Sequence, residues 1–158
     1  MELHTATFEQ LDVATIYRLL RLRVDVFVVE QHCAYPELDG RDADPDAIHM
    51  WLTDGDDPTP LGCLRILAEP DGTARIGRVA VTAKARGAGL ARRLVQAALT
   101  RIGDRPCVLD AQANLVGFYT GMGFTTTGAE FLEDGIPHVP MRHAGRLLAA
   151  DRPHPEAS

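Results

Sequence analysis

Lysine occurs once, at Lys84, and serine once, at Ser158. A single serine at the end of the chain excludes a hydrolase built on a G-x-S-x-G turn. Lys84 is followed by Ala85, so the Gly-Lys-Ser/Thr of a phosphate-binding P-loop is absent too. Cys33, Cys63 and Cys107 are far apart and form no C-x-x-C pair, which leaves neither a disulfide framework nor a zinc site; no metal is expected. No apolar run approaches the ~20 residues that cross a bilayer. The start, Met1-Glu2-Leu3-His4, lacks the basic and apolar stretches of a secretory signal. A cytoplasmic protein with reduced thiols and no membrane partner is the expectation.

The chain has 158 residues, 46% of them hydrophobic and 24% charged, enough for one buried core and too few for two. One domain over residues 1–145 is expected, followed by a disordered tail over 146–158, where Asp151–Ser158 offers no apolar anchor. The net charge of −6 argues against nucleic acid as a partner. That balance conceals a separation. Arg75, Arg78, Lys84, Arg86, Arg92, Arg93, Arg101 and Arg105 face one acid, Asp104, whereas Glu37, Asp39, Asp42, Asp44, Asp46, Asp54, Asp56 and Asp57 face one base, Arg41. The first stretch suits an anion and the second a cation.

Alternation over Glu2–Thr7 suits a strand, and Asp12 caps a helix carrying Ile16, Leu19, Leu20 and Arg23 at helical spacing. After the apolar run Val24–Val29 comes a loop from Gln31 to about Pro45, long enough to suggest function. Ile48–Thr53 and Leu61–Leu67 read as a hairpin, and Ala74–Val81 as a fourth strand. Leu90, Ala91, Leu94, Val95, Ala98, Leu99 and Ile102 make one apolar helical stripe. A fifth strand follows Pro106, a short helix runs from about Asn114 to Gly121 or Gly123, and Phe124–Phe131 and His138–Arg142 are expected as the last two strands.

Between the fourth strand and the amphipathic helix lies Lys84-Ala85-Arg86-Gly87-Ala88-Gly89-Leu90-Ala91. Unpaired amides at a helix start, the helix dipole and glycines that admit close approach together suit a pyrophosphate. Arg86 adds a charged donor. The dinucleotide fingerprint G-x-G-x-x-G fails because position 92 is Arg. The segment resembles the acetyl-CoA signature of the GNAT superfamily, Gln/Arg-x-x-Gly-x-Gly/Ala, with Lys84 in the first place. That resemblance implies an α/β (α+β) fold: a mixed, mostly antiparallel seven-stranded sheet splayed between strands 4 and 5, flanked by about four helices. It implies acetyl-CoA as acetyl donor, its pantetheine arm along Val79, Ala80 and Val81. The phosphates would then lie on Arg86, Gly87, Ala88, Gly89, Leu90 and Ala91.

Asn114-Leu115-Val116-Gly117-Phe118-Tyr119-Thr120-Gly121-Met122-Gly123-Phe124 is similar to a second GNAT motif, with Gln112 where Asn is usual. It implies that Gln112, Phe118 and Tyr119 lie against the cofactor and that Tyr119 protonates the departing thiolate. Chemically, a phenol near pKa ~10 is a sound donor to a thiolate near ~8.5. A narrower resemblance, over about residues 8–142, is to the ElaA-like branch. It rests on Leu22–Gln31, Tyr35–Asp42 and Glu133–Met141. The first two stretches also look like acyl-homoserine-lactone synthases, in Arg23, Phe27, Glu37, Asp39 and Asp42, although the tryptophan expected near His32-Cys33-Ala34 is missing.

The reaction implied is transfer to an amine by direct attack in a ternary complex. A lysine-like amine, with pKa ~10.4, needs a proton acceptor. The candidates are Glu30, Asp39, Asp42, His49, Glu133 and His138, with Phe27 beside them near the acceptor. Two alternatives stay open: a lactone-synthase-like acyltransferase and a non-catalytic acyl-CoA-binding module. A homodimer is an option the resemblance carries, since GNAT proteins are often dimers.

Overall fold

The computed structural model describes residues 1–145; the segment expected as a tail, 146–158, lies outside the described residues. The chain opens with strand β1 (Glu2–Thr7) and helix α1 (Val13–Val24). Asp12 caps that helix by accepting from the Thr15 amide at 2.7 Å. The helix does not stop at Val24 but runs on through six residues of π-helix, Asp25–Glu30. The long loop then leads through a short turn at Arg41–Ala43 to β2 (Ile48–Asp54), β3 (Asp57–Ala68) and β4 (Ala74–Val81). After helix α2 (Leu90–Ile102) come β5 (Cys107–Gln112), α3 (Val116–Thr120), β6 (Thr125–Thr126), β7 (Phe131–Glu133) and β8 (Ile136–His143).

The sheet runs β1-β2-β3-β4-β5-β8-β6, and β7 adds to the other half of the β8 edge. All pairs are antiparallel except β4 with β5, which holds only at Ala74↔Cys107 and Arg75↔Val108. Beyond these two pairs the strands part, which is the expected splay. The single strand expected over Phe124–Phe131 is two short ones. Phe124 is 1% exposed and packs in the core, and the ladder is interrupted between Thr126 and Phe131, so β6 and β7 each pair separately with β8. The described sheet therefore has eight strands where seven were expected. It carries three α-helices where about four were expected, the π-helix continuing the first.

Helices cover both faces. Leu90, Leu94, Val95, Ala98 and Ile102 of α2 pack on Met50, Leu52, Leu64, Ile66 and Ile76. On the opposite face Leu19, Leu22 and Val26 pack on Ala6, Trp51 and Cys63. Fully burying such side chains contributes roughly 1.5–3 kcal/mol each. One irregularity shapes the site: the β3–β4 register passes from Cys63↔Ala80 to Arg65↔Gly77, so two residues, Arg78 and Val79, face one, Leu64. Arg78 takes φ +54°, and the bulge turns its side chain towards the long loop.

Candidate active site

The parting of β4 and β5 opens a cleft of about 1030 Å³. Its walls bring together Val79, Ala80 and Val81 of β4, Gln112 of β5, and Phe118 and Tyr119 of α3. The glycine turn contributes Arg86, Gly87, Gly89, Leu90 and Ala91, while Ala88 of the same turn does not line the cleft. Gly87 and Gly89 have φ +84° and +77°, a region that side-chain-bearing residues rarely enter. Gly89 sits at the N-cap of α2 and brings no capping side chain, and the first turn holds no acid. The contrast with Asp12 on α1 is chemical: the α2 amides are left for an outside acceptor.

Arg86 is already occupied. Its Nε donates to Val81 O at 3.1 Å and its two terminal nitrogens grip the carboxylate of Glu30, Nη2 at 2.7 Å. Glu30 thus comes from the π-helix to the glycine-turn end of the cleft, and the hydrogen bonds from Arg86 hold its carboxyl below the ordinary glutamate value. Such an anion is a poor proton acceptor.

Tyr119 is buried, its ring meeting Phe118 and Phe124 edge-on at centroid distances of 5.0 and 5.7 Å. Burial pushes its phenol up to about 12. The group therefore stays protonated at neutral pH, as a proton donor must.

The acidic loop does not present the free negative field its composition suggests. Arg23, 3% exposed, donates through Nε to Glu37 at 2.7 Å and through Nη1 and Nη2 to Asp42 at 2.6 and 3.2 Å. Arg65 reaches Asp39 at 2.9 and 2.5 Å and Asp42 at 3.1 Å. Arg78 Nη2 donates to Glu37 O at 3.0 Å and to Asp39 at 3.4 Å. Its Nε lies 2.9 Å from Glu37 Oε2, an ion-pair contact whose N–H is not aimed at that oxygen. Tyr35 donates its hydroxyl to the same carboxylate, and burial raises its pKa above the usual phenol range. Three arginines neutralise three acids.

The consequence falls on the expected acceptor residues. Phe27 and Asp39 line the cleft, but the hydrogen bonds and charge of Arg65 hold the Asp39 carboxyl far below its ordinary value despite partial burial. Asp42 and His49 do not line it; they border a separate cavity of about 350 Å³. His49 Nε2 lies 2.9 Å from Asp42 O, and burial lowers its pKa. His138 does line the cleft. The sequence reading gave Arg65 no part in the site, met Tyr35 only within the ElaA-like stretch and counted Arg78 towards an anion pole. An arginine inside the apolar strand Leu61–Leu67 was the available signal, since buried charge requires a partner. Of the basic stretch, Arg75 is also spent, on Glu69 and Asp110 at 2.6 and 3.2 Å.

Residues 23–144 match the Acetyltransferase (GNAT) domain family. The chain belongs to the GNAT acetyltransferase family. A UPF0039 protein of Mycobacterium tuberculosis is 49% identical over 139 residues, 87% of this chain and 89% of that protein. The crystal structure of Escherichia coli ElaA superposes with a TM-score of 0.83 at 35% identity, covering 90% of this chain and 98% of that one. An acyl-CoA N-acyltransferase from Pseudomonas aeruginosa superposes with a TM-score of 0.86 at 38% identity, covering 90% and 99%. Both the GNAT fold and the ElaA-like branch expected from the sequence are thereby shown. No helix among the described residues is long and apolar enough to cross a membrane.

Proposed function

We propose that the protein is an N-acetyltransferase that moves the acetyl group of acetyl-CoA to an amine by direct attack within a ternary complex. The observation that carries this is one cleft lined both by an uncapped helix start and by a buried, protonated Tyr119. Between them, β4 has lost its β5 partner beyond Arg75, leaving backbone groups that a pantetheine amide would pair. The α2 amides and Arg92 hold the pyrophosphate, and Arg86, still gripping Glu30, borders that end of the cleft. Tyr119 gives its proton to the CoA sulfur as the carbon–sulfur bond breaks. The Arg23, Arg65 and Arg78 network ties the long loop to α1, β3 and β4, so the part of the chain that looks like lactone synthases serves as scaffold.

The test is release of free thiol from acetyl-CoA against a panel of monoamines, polyamines and peptides. Tyr119→Phe should lower kcat by ~10²- to 10⁴-fold while acetyl-CoA affinity barely moves. A kcat within about threefold of the parent, with chemistry rate-limiting, removes the role. Tight acetyl-CoA binding with no turnover of any amine points instead to a non-catalytic acyl-CoA-binding module.

A further inference from the structure

We propose that the β7–β8 hairpin is the acceptor site, recognising a protonated alkyl amine through Glu133 and deprotonating it through Nε2 of His138. This rests on the acyl-transfer reading and supplies the proton acceptor that reading requires. Elimination carries part of the argument. Glu30 is held by Arg86, Asp39 by Arg65 and Arg78, and Asp42 and His49 lie outside the cleft. His138 and Glu133 remain, and both line it.

The geometry of His138 carries the rest. Its Nδ1 lies 2.7 Å from the Ile136 carbonyl oxygen, which can only accept, so Nδ1 holds the ring proton and the lone pair is on Nε2. Phe131, its register partner, stacks on the ring at 5.9 Å and fixes its plane. The side chain is 13% exposed, and Glu133 Oε2 stands 3.9 Å from Nε2 at the open side. One ammonium can face both. On the neighbouring strand the register partner is neutral Gln112, and Asp110, two residues along, is taken by Arg75. Asp134 at the hairpin turn is the other acid on that side, and its carbonyl accepts from Cys33 Sγ at 3.4 Å.

Depth fits as well. Gln112 lies four residues past Val108 and Val79 four past Arg75, so both stand beyond the last parallel pair, where β4 and β5 have parted. His138 is paired with Gln112, and both line the same cleft as the bulge residues Arg78 and Val79, on the β5–β8 side of the splay where the thioester would lie. The ammonium gives one proton to His138 Nε2, and the free amine attacks the thioester carbonyl carbon. As the carbon–sulfur bond breaks, Tyr119 protonates the sulfur. The excess proton on the new amide nitrogen returns to the Tyr119 phenolate, and His138 releases its proton to water.

The full chain, labelled with ¹⁵N-histidine and compared with His138→Gln to assign the ring, decides the first half by NMR. The expected neutral ring is protonated on Nδ1, and its Nε2 resonance moves when 1,4-diaminobutane is added with CoA present, but not in Glu133→Gln. A ring protonated on Nε2, or a resonance that the diamine leaves in place, overturns the proposal whether or not the enzyme turns over. Kinetics decide the second half, using 1,4-diaminobutane, charged near neutral pH, and hydroxylamine, which is not. His138→Gln should lose ~10²-fold or more in kcat with the diamine and less than about threefold with hydroxylamine, and the acid limb of the diamine kcat/KM–pH profile should disappear. Equal loss on both nucleophiles overturns the role of base. A parent protein that acetylates neither contradicts the acyl-transfer reading, while the NMR outcome still judges the hairpin.

Discussion

At the scale of the residue, Arg23 shows how a charge is made safe inside this protein. Its fork makes hydrogen bonds to both Glu37 and Asp42, and each of those acids is itself buried. Removing the cation leaves two buried carboxylates without their principal partner, so Arg23→Met should cost about 3–5 kcal/mol in urea unfolding. Arg23→Lys should recover little, because a point charge cannot bridge two carboxylates in fixed planes. The control is Arg21→Met: Arg21 is 74% exposed on its side chain and stands 4.0 Å from Asp25, so its loss should stay within about 0.5 kcal/mol. If the two methionine variants unfold alike, the network is not what holds the loop to the sheet. The acids and Arg23 were visible in the sequence, but partners 14 and 19 residues apart leave no local spacing signal that would fix their pairing.

The elements divide by how much local pattern each carries. Helix α2 was readable because its buried positions Leu90, Leu94, Val95, Ala98 and Ile102 recur at 3.6-residue spacing. The π-helix was not, because Asp25–Glu30 buries only Val26 and shows no period. Nor was the break between β6 and β7, whose Thr125–Glu133 residues are all exposed and show no alternation. At the glycine turn, residue type itself was the signal. Space there is open: a Cβ on Gly87 would meet nothing within 4 Å, so strain from φ +84° is the only intrinsic cost of substitution. Gly87→Ala and Gly87→Glu share that strain, roughly 1–2 kcal/mol, but only glutamate brings negative charge to the α2 start. Calorimetry should find acetyl-CoA binding weakened by well over tenfold in Gly87→Glu and by much less in Gly87→Ala. Equal affinities in the two variants would place the pyrophosphate elsewhere.

Taken whole, the molecule binds protons differently from its unfolded chain at both ends of the pH scale, and the signs can be worked out. The splay that makes the cleft had no sequence signal beyond the family resemblance, yet it sets where titrating groups are buried. His49 and His143 have pKa values lowered by burial, so below about 6.5 the unfolded chain takes up protons that the fold refuses. Stability should therefore begin to fall as pH drops through about 6.5. Asp39 and Asp42, held low by their arginines, add a second loss once pH falls below the unfolded carboxylate value of ~3.9 and on through their lower folded values. On the alkaline side the thiols of Cys63 and Cys107 are pushed by burial from 9.0 up to about 12, so from about pH 9.0 the unfolded chain loses protons that the fold retains. Tyr119, raised to about 12 from 10.0, acts in the same direction. Urea midpoints at constant ionic strength should thus be highest between about pH 6.5 and 9.0 and decline on both sides. Cys107→Ala lowers the whole curve by opening a small cavity but should flatten its alkaline limb, because one of the retained protons is gone. Stability still rising above pH 9.0, or an alkaline limb of unchanged slope in Cys107→Ala, would contradict this assignment.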